Sequence, residues 1–371
     1  MKNSKIGTLS LNINAPDFNY GAMLHSWAFQ KYLQKKNDVE YTEIIDYTIP
    51  KVENWNRRCP EAIRPKKLRV KEIKKFLIRY QRYHSRRRKF DKFIKNQLVV
   101  SSKKYTQKTI EDANLPYDIL VCESDVIWCP NMGKLDRVFY LACESMKDKK
   151  RIAYSPSMAD ASLTPEQENE LDGLLEGISH ISCRESYMVD VLEKHTEKPI
   201  EHVLDPVLLL NPEDYDSITA PRLIDEKYML LYMPVNHNRV LLETANKFAQ
   251  KKGYKILEIS TKLKKKKENN YICVADAGIE EFLSALRYAE VIFSNSFHAI
   301  CFSILFEKDF YAFTRKFNGK VRDICETFGL MDYYLQDDIC VEKEPYDKAQ
   351  VKSKLECLRE KSRSWLDNAL C

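Results

Sequence analysis

A strand, a turn, a helix and a second strand follow one another at the start of the chain. Residues 5–13 (KIGTLSLNI) are mostly apolar and lack proline, residues 21–34 carry apolar side chains at helical spacing, and residues 40–46 (EYTEIID) alternate like a strand. Two strands joined through a helix of this length lie parallel in one sheet. The opening segment therefore predicts an α/β fold built on a parallel sheet.

The strand–helix rhythm occurs in two series. The first continues through strands at 117–122, 151–154 and 178–183, and the second begins after a polar, proline-containing segment at 211–221 and has strands at 228–233, 254–260, 272–275, 291–294 and 309–313. We predict two Rossmann-like domains, over 1–210 and 211–340, and a closing helix within 341–371 that could pack back on the N-terminal domain. Ligands of such sheets bind beyond the carboxyl ends of the strands, which places a site in the cleft between the domains.

Charge is concentrated in one helical insertion at residues 66–95. This stretch holds 14 Lys and Arg against two acidic residues, whereas the whole chain of 371 residues has a net charge of only +6. The remainder is therefore acidic, which is not typical of a nucleic-acid-binding protein. The apolar face formed by residues 73, 76, 77, 80 and 83 is compatible with a solvated helix packed on the protein or with contact to anionic lipid headgroups.

Cysteine usage and hydropathy predict a cytoplasmic protein, with the inner face of the membrane as a possible location. The 11 cysteines form no CxxC pair, which is typical of reduced thiols, and the spacing of Cys122, Cys129 and Cys143 does not support a zinc site. The first residues contain no apolar segment of a signal peptide, and no run of 18 apolar residues occurs.

Polar residues stand at four points where a predicted buried strand gives way to a turn or helix. Because the carboxyl ends of parallel strands meet at one edge, these residues are expected to converge on a ligand site. Taken singly, each point is equally compatible with a helix cap, a turn or a local ion pair. The residues concerned are Asn19, Gly21, Ser124, Asp125, Arg184, Asn295, Ser296 and His298.

The most informative of these points is His298, in the first turn of a helix that follows strand 291–294. The dipole of that helix disfavours an imidazolium, so His298 is predicted to act as a neutral base or hydrogen-bond donor. The alternative is a structural histidine beside a capping Ser296. Arg184 presents a planar fork suited to a carboxylate or phosphate, or it pairs with Glu185. Gly21 would let the backbone approach a ligand, or it serves the turn.

Several common catalytic motifs do not occur in the sequence. There is no GxxxxGK[ST], GxGxxG, HExxH or GxSxG segment. A P-loop kinase, a dinucleotide-dependent oxidoreductase and a serine hydrolase are therefore disfavoured.

An ordered set of fragments between Asn19 and about Leu330 resembles the polysaccharide pyruvyl transferase family. Each fragment is short, but their order and spacing together are fairly specific. They are Asn19-Tyr20-Gly21, Glu123-Ser124-Asp125-Val126-Ile127-Trp128, Tyr154-Ser155-Pro156-Ser157, Ile181-Ser182-Cys183-Arg184-Glu185, Val203-Leu204-Asp205-Pro206, Ser294-Asn295-Ser296-Phe297-His298-Ala299, Lys320-Val321-Arg322-Asp323 and Glu326-Thr327-Phe328-Gly329-Leu330.

The resemblance implies a GT-B-like fold and a bacterial enzyme that transfers pyruvate from phosphoenolpyruvate, as a ketal, to a saccharide of a capsule or exopolysaccharide. The implied acceptor is a sugar such as galactose, on a precursor that could be linked to a lipid diphosphate. No cofactor, metal or nucleic acid is implied. In this interpretation His298 handles protons and Arg184 and Lys320 clamp the anionic donor; substrate contacts come from Asn19, Gly21, Ser124, Asp125, Ser157, Asn295, Ser296 and Arg315.

The chain departs from the family pattern at three points. Many members have Gly in place of Glu123 and Asn in place of Cys129, and some have Arg-Leu where this chain has Ser296-Phe297. The Ser-Phe-His form resembles a distinct subgroup, in which Arg184, Lys320 or Arg315 would bind the donor phosphate. A GT-B glycosyltransferase using a nucleotide sugar shares the architecture and is the alternative enzyme. A saccharide- or membrane-binding protein without catalysis is the alternative outside enzymes.

Overall fold

The computed structural model describes residues 4–14, 18–50, 70–130, 135–159, 162–234, 239–260, 270–313, 319–335 and 343–371. Arg315, the first four residues of the basic stretch at 66–95 and the lysine-rich segment 262–267 lie outside the described residues.

The first sheet has seven parallel strands in the order β3-β2-β1-β4-β5-β6-β7. The central strand β4 is buried along its whole length, as expected for a parallel sheet covered by helices on both faces. The strands are β1 (Ser4–Leu9), β2 (Val39–Thr48), β3 (Val100–Thr106), β4 (Ile119–Glu123), β5 (Lys150–Tyr154), β6 (His180–Cys183) and β7 (Ile200–His202). The helices are α1 (Tyr20–Gln34), α2 (Val70–Gln97), α3 (Gln107–Glu111), α4 (Pro165–Glu176) and α5 (Tyr187–Leu192).

The second sheet repeats the same parallel winding with six strands, in the order β10-β9-β8-β11-β12-β13. Its central strands β8 and β11 are fully buried. The strands are β8 (Tyr228–Tyr232), β9 (Lys255–Ile259), β10 (Tyr271–Val274), β11 (Val291–Ser294), β12 (Asp309–Phe313) and β13 (Tyr334–Leu335). The helices are α6 (Arg239–Lys252), α7 (Ile279–Arg287), α8 (Phe297–Leu305), α9 (Gly319–Phe328) and α10 (Lys348–Leu370). Two parallel α/β domains confirm the predicted GT-B-like fold.

Local sequence signals explain where several helices begin. Thr164 accepts a hydrogen bond from Gln167 N and Pro165 occupies the first helical position, so α4 starts where the sequence predicts. Asn19 caps α1 by accepting from Ala22 N, and Ser296 caps α8 by accepting from Ala299 N. Two of the predicted site residues therefore also define the helices that carry the site.

The two domains share one continuous apolar core. The ring of Tyr20 stacks on Phe282 with centroids 4.4 Å apart, and its hydroxyl donates to Ala277 O at 2.8 Å. The final helix α10 contacts the first domain: Ser362 Oγ accepts from Leu204 N at 3.0 Å, and Arg359 Nε donates to Leu208 O at 2.7 Å. These contacts tie α1 and α10 across the boundary and hold the two sheets against each other.

Helix α2 connects the domains at its C-terminal half and is exposed at its N-terminal half. Ser85 donates to Asp276 at 2.6 Å, Arg86 donates to the carbonyls of Ser260 and Ala275, and Lys89 pairs with Glu281 at 2.6 Å. In contrast, Leu77 is 57% exposed, and three further apolar side chains of that half are also exposed: Ile73, Ile78 and Tyr80. None of the helices in the described ranges is both long and apolar enough to cross a membrane.

Candidate active site

Polar side chains from both domains meet where the carboxyl ends of the two sheets face each other. We call this group the cleft cluster; its members are His25, Glu123, Asp125, Arg184, Glu185, Asp205, His298 and Lys320. All but Lys320 are buried, and Lys320 is partly buried. First-domain residues follow or flank β4, β6 and β7 or lie on α1, whereas His298 and Lys320 lie in the first turns of α8 and α9.

Asp205 is the acceptor at the centre of the cleft cluster. Its Oδ2 accepts from Ser124 Oγ at 2.7 Å and from Arg184 Nη1 at 3.2 Å, and it lies 3.5 Å from His298 Nε2. Burial favours the neutral acid, but His298, Arg184 and His25 outweigh it, so the pKa of Asp205 lies far below its usual range. Asp205 is therefore a carboxylate that links the domains through His298.

His298 lies between Asp205 and the backbone of α1. Burial and the neighbouring Arg184 lower the pKa of His298, although Asp205 and Asp125 oppose them, so the neutral imidazole is favoured. A side chain at Gly21 would place its Cβ only 1.9 Å from His298 Nδ1. Gly21 is thus needed for the close approach of His298, and not for the close approach of a ligand alone as the sequence suggested.

Arg184 is held by two buried carboxylates. Its Nε donates to Glu185 Oε1 at 2.9 Å, its Nη1 donates to Asp205, and its guanidinium lies 4.2 Å from the ring centroid of Phe297. These ion pairs outweigh burial and raise the pKa of Arg184 above its usual value. The pairing with Glu185, which the sequence left as the alternative, is therefore present, and the guanidinium charge is balanced within the protein.

Lys320 is the second predicted cation of the clamp and has a different environment. It makes no hydrogen bond or salt bridge to any residue that the structure describes. Burial and the nearby Arg184 lower its pKa, while Asp125 and Glu185 partly oppose the shift. A lysine in this environment would gain from an anionic partner.

The backbone is strained at the carboxyl ends of β4 and β5. Ser124, Asp125 and Ser155 have φ values of 47°, 55° and 57°, in the left-handed region that non-glycine residues rarely adopt. Such conformations cost about 1–3 kcal/mol each and cluster at functional sites. The side-chain bond of Ser124 to Asp205 and the donation of Ser157 N to Asp125 O at 2.9 Å hold this turn in place.

The other described residues that were predicted to contact substrate lie in or beside the cleft cluster. Several of them form hydrogen bonds with its members. Asn19 caps α1 and also donates to Asp125 Oδ2 at 3.3 Å, and Ser157 donates to Glu185 Oε1 at 2.8 Å. Ser296 caps α8, and Asn295 precedes it at the end of β11. The site residues predicted from the sequence thus lie close together in the structure. The exception is Arg315, which lies outside the described residues.

Four members of the cleft cluster were not predicted as site residues. Glu185 was considered only as a partner of Arg184. Asp205 belongs to a quoted fragment, but the short strand before it was not recognised, so its position at a strand end was missed. Glu123 was noted only as a departure from the family pattern. His25 gave no signal, because it sits in the interior of a helix that is buried on nearly all sides.

Comparison with known families decides the class of the chain. The family model for polysaccharide pyruvyl transferase matches residues 19–316. The chain belongs to the polysaccharide pyruvyl transferase family. Membership makes it a transferase of polysaccharide biosynthesis with a saccharide acceptor, while the Ser-Phe-His subgroup stays a prediction. A search of curated proteins found no match.

Solved structures of similar shape include nucleotide-sugar enzymes. UDP-GlcNAc 2-epimerase from Methanocaldococcus jannaschii has 13% identity and a TM-score of 0.46, covering 97% of this chain and 93% of that chain. The same enzyme from Neisseria meningitidis, bound to UDP-GlcNAc, has 10% identity and a TM-score of 0.49, covering 98% and 94%. The glycotransferase of kitacinnamycin has 10% identity and a TM-score of 0.48, covering 98% and 96%. Similarity at this level does not bear on the reaction.

Replacing Gly21 by alanine tests the contact between α1 and His298. The added Cβ would displace the imidazole, and a displacement of about 1 Å at a catalytic group can cost roughly 100-fold in rate. We expect a comparable loss of transferase activity with α1 intact, because alanine favours helix. Gly173→Ala in α4 is the matched control, since its Cβ would meet no atom within 4 Å. Equal activity of both variants would contradict the role assigned to Gly21.

Proposed function

We propose that this member of the family transfers the pyruvyl group of phosphoenolpyruvate to two hydroxyls of one saccharide, forming a ketal. The observation that carries the proposal is the 3.5 Å contact between His298 Nε2 and Asp205 Oδ2, at the junction of both sheets. Burial lowers the pKa of His298, which favours the neutral imidazole. This pair provides a positioned base in a buried site, which is what activation of a sugar hydroxyl requires.

Binding of the donor needs positive charge, since phosphoenolpyruvate carries a carboxylate and a phosphate. We assign this contact to Lys320, which has no salt bridge within the described residues and lies at the start of α9. Arg184 takes a supporting role: its fork is already bonded to Glu185 and Asp205, so it orders the carboxylates around the donor. Lys320 and Arg184 therefore have different roles, unlike the clamp of two equivalent cations that the resemblance implies.

The reaction forms two C–O bonds and one C–H bond, and it breaks one C–O bond, the C=C π bond and two O–H bonds. Of the two hydroxyl protons, one balances the proton added to the methylene carbon and the other leaves with phosphate. Protonation of the methylene carbon leaves an oxocarbenium-like centre at C2, to which one sugar hydroxyl adds. The bond from C2 to the phosphate oxygen then breaks, with the electron pair leaving on phosphate, and the second hydroxyl closes the ring. His298, beside Asp205, is the group assigned to take the proton of the attacking hydroxyl.

The acceptor is assigned to a pocket of about 290 Å³ beside the cleft cluster. The pocket lies at the carboxyl ends of the first sheet's strands, and Val126, which follows Asp125, is part of its wall. Most of the lining is apolar, with Gln107 and Asp136 as polar groups. A sugar ring offers both an apolar face and hydroxyls, so such a wall suits it.

Galactose on a capsular or exported polysaccharide precursor, with the ketal across its 4- and 6-hydroxyls, is the first acceptor to test. The assay measures phosphate release from phosphoenolpyruvate by purified protein with galactoside and mannosaminide acceptors, and product masses are read in parallel. Acceptor-dependent release with a pyruvate ketal on the product would support the proposal. Transfer from a nucleotide sugar, without use of phosphoenolpyruvate, would replace it with the glycosyltransferase alternative.

We also propose that the exposed half of α2 contacts an anionic membrane, where a lipid-diphosphate-linked acceptor would reside. Leu77, Ile73 and Tyr80 present apolar surface amid lysine and arginine residues. The triple change of these residues to serine should reduce co-sedimentation with phosphatidylglycerol vesicles. Met331→Ser, at an exposed methionine elsewhere, should not. Absence of binding by the unmodified protein at low salt would overturn the membrane contact.

A further inference from the structure

His25 is fixed inside the first domain by a buried carboxylate. Its Nδ1 donates to Glu123 Oε2 at 2.8 Å, and the other oxygen of Glu123 accepts from Ser26 Oγ at 2.7 Å. Ser26 is itself held by Asn12, which donates to it at 2.9 Å. His25, Ser26 and Glu123 are at most 1% exposed, so the orientation of the imidazole is determined by the packing of α1 on β4.

The second ring nitrogen of His25 is directed into the cleft cluster without a partner. His25 Nε2 is buried and forms no hydrogen bond with any residue in the described ranges, and Asp125 Oδ2 lies 4.0 Å away. His298 Nε2, in contrast, faces Asp205 Oδ2 at 3.5 Å. The two imidazole rings lie nearly parallel, with centroids 5.9 Å apart and an interplanar angle of 19°. A buried ring nitrogen without a hydrogen bond is uncommon in folded proteins.

The charged surroundings of the two histidines differ. His25 faces Glu123, Asp125 and Asp205, whose attraction outweighs burial and raises the pKa of His25. The pKa of His298 is lowered, as described above. His25 therefore keeps its proton to a higher pH than His298. Neighbouring groups whose environments push their pKa values apart are typical of acid–base pairs in active sites.

We propose that His25 is a positioning residue of the transfer reaction, whose imidazolium, held on Glu123, fixes the charge and orientation of Asp125 beside His298. The inference rests on the proposed function for the reaction that it serves. His25 acts through Asp125, which carries the strained backbone at the end of β4 and accepts from Asn19 on the oxygen that lies 4.0 Å from His25 Nε2. A positive charge behind Asp125 also disfavours a second charge on His298.

The pH dependence follows from the direction of the shift. Because folding raises the pKa of His25, the stabilisation from its positive charge is present below the ordinary histidine pKa and is lost as pH rises through the raised value. Burial also raises the pKa of Glu123, so the ion pair is lost on the acid side as that carboxylate takes up a proton. Above the raised pKa of His25, the carboxylates of Glu123, Asp125 and Asp205 lose a counter-charge. Activity should therefore decline on the alkaline side of the wild-type profile.

The first test measures the protonation of His25 and His298 and does not require catalytic turnover. Histidine ring nitrogens of the full-length protein are titrated by ¹⁵N NMR, with assignments from His25→Gln and His298→Gln. His25 should stay protonated to a higher pH than His298.

Glu123→Gln should lower the pKa of His25, and His25→Gln should raise that of His298. His195→Gln, at a histidine that pairs with Asp172 away from the cleft cluster, should preserve the pattern. A neutral His25 throughout the range in which His298 titrates would overturn the inference.

The second test is kinetic. His25→Gln and Glu123→Gln should lower kcat by about 100-fold, the cost of a misplaced catalytic group, with little change in KM for phosphoenolpyruvate. His25→Gln should also lose the alkaline decline, and Glu123→Gln should move it to lower pH; a merely structural role would alter neither. A full alkaline decline in His25→Gln would overturn the positioning role. A wild-type protein with the expected NMR pattern but no turnover of phosphoenolpyruvate would overturn the proposed function and leave the charge assignment of His25 standing.

Discussion

Replacing His298 by alanine is expected to lower kcat for pyruvyl transfer by about 10²- to 10⁴-fold, the usual contribution of a general acid or base. Burial lowers the pKa of His298 and so favours the neutral imidazole, which faces Asp205 across the domain boundary. Since the base must be neutral, wild-type activity should be present above the lowered pKa of His298 and be lost as pH falls through it. Steady-state phosphate release as a function of pH measures both effects.

A surface histidine provides the matched control for this variant. His195 pairs with Asp172 at 2.7 Å away from the cleft cluster, so His195→Ala should retain full turnover. Small added imidazole should partly restore His298→Ala, because the deletion leaves a cavity of matching shape. Wild-type turnover by His298→Ala would show that the proton is taken by another group.

Replacing Arg184 by methionine is expected to destabilise the protein by about 3–5 kcal/mol, the cost of leaving buried charges without their partner. Glu185 and Asp205 both depend on this guanidinium, and neither is exposed. Chemical unfolding of the full chain measures the loss. The effect should appear in the free energy of unfolding, whether or not substrate is present.

Lys320→Met removes the other cation of the cleft cluster. We expect this change to weaken donor binding without lowering the stability of the protein. Since Lys320 has no salt bridge among the described residues and burial lowers its pKa, the free energy of unfolding should not decrease. KM for phosphoenolpyruvate should instead rise by roughly 10- to 100-fold, the value of a hydrogen bond to a charged group. An unchanged KM would exclude Lys320 as a donor contact, and a stable Arg184→Met with a raised KM would assign the donor to Arg184.

Three strands were not predicted from the sequence, namely β3, β7 and β13, because their residues carry no clear local signal. In β3, only Ser101 and Tyr105 are buried, and the other five residues are polar or at the sheet edge, so no apolar alternation appears. β7 and β13 have only three and two residues. Their strand conformation comes from pairing with β6 and β12, which are already in place. Pairing partners distant in sequence cannot be read from a short segment.

The sequence predicted where the site lies more completely than it predicted what each residue does there. His298, Arg184, Asp125 and Ser124 all stood at predicted strand ends, and parallel strands bring such ends together by geometry alone. The interpretation of Arg184 as a free anion contact could not be tested in sequence, because the second of its two partners, Asp205, is 21 positions away. The function of Glu123 depends on His25, which lies 98 positions before it.

By itself, the sequence determined the parallel α/β architecture, the starts of α1, α4 and α8, and the edge at which polar residues converge. These follow from interactions within a few residues: apolar periodicity, caps and the geometry of βαβ units. Only the tertiary structure decided which charge each polar group carries. The stacking of His25 and His298, the need for Gly21 and the balance of Arg184 by two carboxylates arise where α1, β4, β7 and α8 pack together. Burial and distance set the energies of ionised groups there, and neither is encoded in the spacing of residues along the chain.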